Sequence, residues 1–201
     1  MATPSKIFKV ITSHGLEELT SKIRGLHYHE RGTSMRVTQI KRMREGVEGS
    51  LEVMKELVPP TYVDFQLLKT PKGLFSVLIC DRRLADRIAN AFSMIRGIEL
   101  EEIAVPMKKL RTIYTKGRVL LLLINGLGIR GISKILLYGD SVNQTELYSK
   151  YLKLGEEVYV VFKNEGGQVI GITRKGVVTF FTYVDRKGLV DFIKEKILPL
   201  V

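Results

Sequence analysis

The chain has 201 residues, 45% of them hydrophobic and 26% charged, which suits a folded protein of one large or two small domains and excludes a disordered chain. Apolar runs such as RVLLLLI at 118–124 fall well short of the roughly 20 residues of a membrane-spanning helix, and MATPSKIFKV at the start lacks a signal-peptide core, so a cytoplasmic protein is expected. The net charge of +11 is uneven, +3 over residues 1–105 and +8 over 106–201, and such an excess attracts polyanions, above all nucleic acid.

A single cysteine, Cys80, excludes an internal disulfide and a cysteine-based zinc site, leaving stability to the core. The abundance of Lys, Arg and Glu over Asn and Gln is the bias of thermophile proteins. Pro106 and the basic residues around it, in VPMKKLRT at 105–112, mark a boundary between an α+β domain at 1–105 and a second domain at 106–201.

In the first domain KIFKVITS (6–13) predicts a strand, and GLEELTSKIRG (15–25) a short helix with Leu16, Leu19 and Ile23 on one face. REGVEGSLEVMKELV (44–58) reads as a second helix ended by Pro59 and Pro60. YVDFQLLKT and LFSVLICD flank Pro71, Lys72 and Gly73 as a hairpin. RRLADRIANAFSMIRG (82–97) is the clearest helix, with Leu84, Ile88, Phe92 and Ile95 at helical spacing, and IELEEIAV (98–105) closes as a strand. Helices on one antiparallel sheet, in a ferredoxin-like α/β sandwich, are the expected arrangement.

The second half opens with GRVLLLLING, GISKILLYG and NQTELYSKYLKLGE, read as three helices. EVYVVFKN and QVIGITRKG follow as strands around a turn at Glu165, Gly166 and Gly167, and RKGLVDFIKEKILPL closes as a helix. Between them GLGIRG satisfies GxGxxG literally, but no βαβ unit follows to make it a nucleotide loop. LLINGLGIRGISKIL, within 121–136, resembles a helix-hairpin-helix, in which glycines bring backbone N–H groups to a DNA phosphate.

The order helix, helix, helix, strand, glycine turn, strand over 118–185 resembles a winged helix-turn-helix of archaeal transcription regulators, with ITRKG similar to the end of such a wing. That resemblance implies a DNA-binding transcription regulator that needs no cofactor. Its recognition helix would span 143–154 and its wing 163–175. Leu147, Tyr151 and Leu154 would pack inward, with Gln144, Thr145, Tyr148, Ser149 and Lys153 facing a major groove and Asn143 capping the helix or making the first contact. Lys163, Arg174 and Lys175 would meet the DNA backbone from the wing, and Arg118, Arg130 and Lys134 would add phosphate contacts. A palindromic duplex site would be read by a homodimer, with the first domain dimerising, sensing or binding a partner. The alternative is an RNA-binding or ribosome-associated protein, although few aromatic residues stand out as a stacking platform. After Gly176, VVTFFTYV is rich in β-branched and aromatic residues and suits an extension of the sheet.

His27 and His29 in LHYHE would share a face if that segment is a strand, as part of a metal site or as surface histidines. Arg31, Arg36, Lys41, Arg42 and Arg44 form either a second basic patch or a solvated face, and Cys80 after SVLI reads as a small buried hydrophobe. No nucleophile-base or paired-carboxylate arrangement emerges from spacing, so no catalytic residue is named.

Overall fold

The computed structural model describes residues 2–30 and 32–201, and Arg31 of the first basic patch lies outside them. The described residues carry twelve strands, in antiparallel pairs, and five short α-helices. The chain divides into two compact units, Pro4–Ile103, and Ala104–Val201 together with the first residues through Thr3.

The first unit contains β1 (Thr3–Thr12), α1 (Leu16–Arg24), β2 (His27–Glu30), β3 (Thr33–Met43), β4 (Gly46–Lys55), β5 (Val58–Thr70), β6 (Gly73–Ile79), α2 (Arg82–Ser93) and β7 (Ile98–Glu102). The strands lie in the order β2-β3-β4-β5-β6-β1-β7. This seven-stranded sheet replaces the expected ferredoxin-like sandwich. The segment read as a helix at 44–58 is strand β4 and the turn after it. Its Val47, Leu51 and Val53 are buried at a spacing of two, and Gly49 sits between them where the ring of Phe65 needs the room: a β-carbon there would lie 2.5 Å from Phe65 Cζ. Here cross-strand packing overrides the helix-forming composition of VEGSLEVMKEL. α1 and α2 bury Leu19, Ile23, Ile88 and Phe92 against Phe8, Val10, Val63 and Phe65 of the sheet, with Phe65 and Phe92 edge to face at 5.6 Å. Asp81 caps α2 by accepting from the backbone N–H of Arg83 and Leu84.

The second unit contains α3 (Met107–Tyr114), β8 (Arg118–Ile129), β9 (Ile132–Tyr138), α4 (Glu146–Leu154), β10 (Glu156–Lys163), β11 (Val169–Thr173), β12 (Val177–Phe180) and α5 (Arg186–Phe192), which continues as a wider helical turn through Ile197. The strand order is β12-β11-β10-β8-β9. The winged helix-turn-helix is thereby overturned, because the two segments read as its first helices are paired strands. Leu122 and Ile124 of β8 are buried at a spacing of two against Val160, Phe162, Ile170 and Ile172 of the neighbouring strands. A leucine run with good helix propensity is held extended by these pairings on both sides.

GLGIRG is neither a helix bend nor a helix-hairpin-helix. It is the tip of the β8–β9 hairpin, with Asn125 opposite Lys134 and Ile129 opposite Ile132. Gly126, Gly128 and Gly131 all take positive φ, 71°, 63° and 81°. The first two flank buried Leu127 in a bulge of β8, and Gly131 follows Arg130 in the two-residue turn. VVTFFTYV does extend the sheet, as β12.

Candidate nucleic-acid interface

One face of the second sheet is covered by α3, α4 and α5, which bury Leu110, Tyr114, Tyr148, Leu189 and Ile193. The register fixes the composition of the opposite face, because residues directly across from one another point the same way. One row runs Tyr138, Leu121, Val161, Gly171 and Thr179 from β9 through β12, and the next runs Leu136, Leu123, Tyr159 and Thr173. Leu136 and Tyr138 are 58% and 82% exposed, and Leu121, Leu123 and Tyr159 are half-buried. Tyr159 and the exposed Phe181 converge over Gly171, where a β-carbon would stand 2.7 Å from Tyr159 Oη and 3.0 Å from Phe181 Cε2. Burial pushes the Tyr159 phenol up, which keeps it neutral and able to donate.

This face is the aromatic platform that sequence reading did not find. Tyr138 and Tyr159 lie in segments 21 residues apart, one of them read as helical, and only the pairing β9-β8-β10 brings them to one surface. The usable signal was the alternation in EVYVVFKN, in which Tyr159 and Val161 oppose Val160 and Phe162.

At one end of the platform lies a groove lined by Lys116, Arg118, Asn143, Gln144 and Lys163. Four of the twelve predicted site residues thus meet there, joined by Lys116. Lys163 and Arg118 are paired across β10 and β8. Glu165 also lines the groove, and Arg118 contacts Asp140 at 3.3 Å, so its cations are only partly offset. Asn143 does not cap a helix. Its amide donates to the Gly117 carbonyl at 3.2 Å and its oxygen accepts from the Val119 N–H at 3.1 Å, holding the start of β8.

The remaining predicted residues lie elsewhere in the unit. Thr145 is the cap of α4, accepting from the Tyr148 N–H. Tyr148, expected to face solvent, is 9% exposed, while Leu147 and Leu154, expected inside, are exposed. The helix therefore presents a different face from the expected one, because Tyr148 reaches Tyr114 beneath the sheet. Ser149 and Lys153 are exposed on α4, and Lys134 is exposed on β9. Arg130 is exposed at the β8–β9 turn, Arg174 is paired with Glu156 at 2.6 Å, and Lys175 is exposed in the turn before β12.

Two cations of the first basic patch have structural partners. In the first unit Arg36 is bound to Glu52 and Arg42 to Glu17. His27 and His29 share one face of β2 and are both exposed, and no cluster of three potential metal-ligating side chains occurs among the described residues. The Cys80 thiol is pushed up to about 12 by burial and then by the charges of Asp81 and Asp86, which leaves it protonated at neutral pH. No protein-family model matches the chain, and no curated protein sequence matches it. Among the described residues no helix is long and apolar enough to cross a membrane.

Proposed function

We propose that this is a cytoplasmic RNA-binding protein that lays a single strand across the open face of its second sheet. The observation that carries the reading is the single surface shared by Tyr138, Tyr159 and Phe181, with Arg118 and Lys163 at its end. Exposed aromatic rings on a sheet stack unpaired bases, and adjacent cations follow the backbone and release counterions. Thr173 and Thr179 add hydroxyls to the same face, groups able to meet a ribose 2′-OH. The +8 charge of residues 106–201 supplies the long-range attraction.

A flat sheet face with half-buried rings gives duplex DNA nothing to enter a groove with, so the duplex is the weaker ligand. Fluorescence anisotropy of the full chain against single-stranded RNA, single-stranded DNA of the same sequence, duplex RNA and duplex DNA, at several salt concentrations, tests this. Tightest binding to single-stranded RNA, weakening as salt rises, is the expected result. Preference for a duplex, or no binding at low salt, overturns the reading.

A further inference from the structure

The strand β9 ends the second sheet, and no strand pairs with its outer edge among the described residues. The hydrogen-bonding phase of that edge is fixed: the Gly139 N–H donates to the Leu120 carbonyl at 3.0 Å, so Gly139, Leu137 and Ile135 direct their backbone groups toward β8. Lys134, Leu136 and Tyr138 alternate with them and turn their N–H and C=O groups outward, while Ile132 faces Ile129 across the two-residue turn. The side chains of this outward set are exposed as well, two of them large and apolar, and the Ile132 side chain beside them is a third exposed apolar group. Natural edge strands usually blunt such a surface with charge, proline or a bulge, and β9 has only Lys134.

We propose that β9 pairs antiparallel with β9 of a second copy of this chain, about a twofold axis through Ile135. The register follows from the residues. Centring on Ile135 sets Lys134 against the partner's Leu136, so that outward backbone groups face one another, and brings the Ile132 side chain beside the partner's Tyr138. It also brings the β8–β9 turn that carries Arg130 beside the partner's Asp140, which follows β9, once at each end of the ribbon. Asp140 is 79% exposed at its side chain and touches Arg118 at only 3.3 Å, which leaves it room for a second cation. Centring on Lys134 instead would stack the two lysines directly, a like-charge pair that opposes that register.

Charge, the Ile132–Tyr138 contact and hydrogen-bonding phase therefore favour this register, with an identical chain as the partner. Opposed residues point to the same side of a sheet, so the open faces of the two copies become one surface of ten strands, with Tyr138 of each copy beside the seam. The pairing stands on β9 alone and does not depend on what the open face binds.

Sedimentation of the full chain over a concentration series reads the association directly. The expected species has twice the mass of the 22.8 kDa chain at the upper end. Arg130→Asp places one carboxylate opposite another, that of the partner's Asp140, and Asp140→Arg places two guanidinium groups opposite each other, so each variant alone should associate about tenfold or more weakly. An equimolar mixture of the two variants restores both opposite-charge pairs and should recover the two-chain species. Both positions are exposed, and far-UV circular dichroism checks that each variant keeps its strands. A one-chain mass at every concentration, variants that associate like the parent, or a mixture that associates no better than either variant alone would each overturn the proposal.

Discussion

Arg111 holds the Glu157 carboxylate with two parallel hydrogen bonds, Nε to Oε1 at 2.5 Å and Nη2 to Oε2 at 2.7 Å. Tyr114 donates to the same carboxylate at 2.7 Å, and Tyr148 donates to Tyr114 at 3.4 Å, so α3, α4 and β10 meet at one charge. The Glu157 side chain is 2% exposed. Burial opposes its charge most strongly, but the hydrogen bonds from Arg111 and Tyr114 together with the Arg111 charge outweigh it and hold the carboxyl below the usual 4.5. The phenol of Tyr114 is pushed up, by burial first and then by its bonds to Tyr148 and Glu157.

Replacing Arg111 by Met leaves that carboxylate buried and without its cation. A loss of about 3 kcal/mol is expected, at the low end for a buried pair because Arg111 is itself partly exposed. Urea titration monitored by circular dichroism reads the change. The sign of the pH dependence follows from the lowered carboxyl. Its contribution is fully present above the unfolded value near 4.5 and is lost as pH falls through the lower folded value. The Tm gap between the parent and Glu157→Gln should therefore be constant near neutrality and narrow below pH 4.5.

Lys6 is a second buried charge, in the first unit, where its ammonium donates to Asp86 and, at 2.6 Å, to Glu102, and lies 4.6 Å from the Phe8 ring centroid. Lys6→Met fills the same volume but leaves the carboxylates of Asp86 on α2 and Glu102 on β7 near each other without its ammonium, with Arg82 within reach of both. Both carboxylates are 42% exposed, so water screens part of the repulsion, and a loss of about 1–3 kcal/mol is expected, smaller than for Arg111→Met. Guanidinium would mask this difference as a salt, so urea is again the denaturant to use.

The strand at 6–13, the helices at 15–25 and 82–97 and the hairpin around Lys72 were legible because each carries its own signal: a spacing of two or of 3.6, a capping Asp81, a Gly or Pro stop. The segments 44–58 and 118–138 were not. Both are built from residues that favour helices, and their extended state is imposed by partners distant in sequence, Phe65 over Gly49 and Val160 and Phe162 beside Leu122 and Val119. The candidate site divides the same way. Arg118 and Lys163 could be picked out as basic residues in the basic half, whereas the convergence of Tyr159 and Phe181 over Gly171 exists only in the sheet.

Two glycines of the second sheet respond oppositely to an added methyl group. At Gly117 a β-carbon would lie 2.1 Å from the Lys163 carbonyl oxygen, a backbone atom that cannot move without breaking the β8–β10 pairing. Gly117→Ala should destabilise the protein by several kcal/mol, about the scale of a buried steric clash. At Gly171 the obstructing atoms are the ends of Tyr159 and Phe181, which can swing aside. Gly171→Ala should change stability by no more than about 1 kcal/mol and yet weaken RNA binding, because it displaces two rings of the platform. Thermal melts and anisotropy on the same two variants separate the effects; equal losses of stability would show that the rings over Gly171 are rigid core.

If the open face binds RNA as proposed, stacking and charge contribute in ways that salt distinguishes. Lys163→Ala removes a phosphate contact and should flatten the slope of log K against log salt by about 0.7, the value for one contact with a single strand. Tyr138→Ala removes a stacked ring from the exposed end of the platform, with an expected loss of about tenfold in affinity and no change in slope. The double variant should show both changes independently, since Tyr138 lies on β9 and Lys163 at the end of β10. Anisotropy titrations at four or more salt concentrations read the two quantities at once. A slope change in Tyr138→Ala, or an unchanged slope in Lys163→Ala, would place the RNA backbone somewhere other than the groove of Lys116, Arg118 and Lys163.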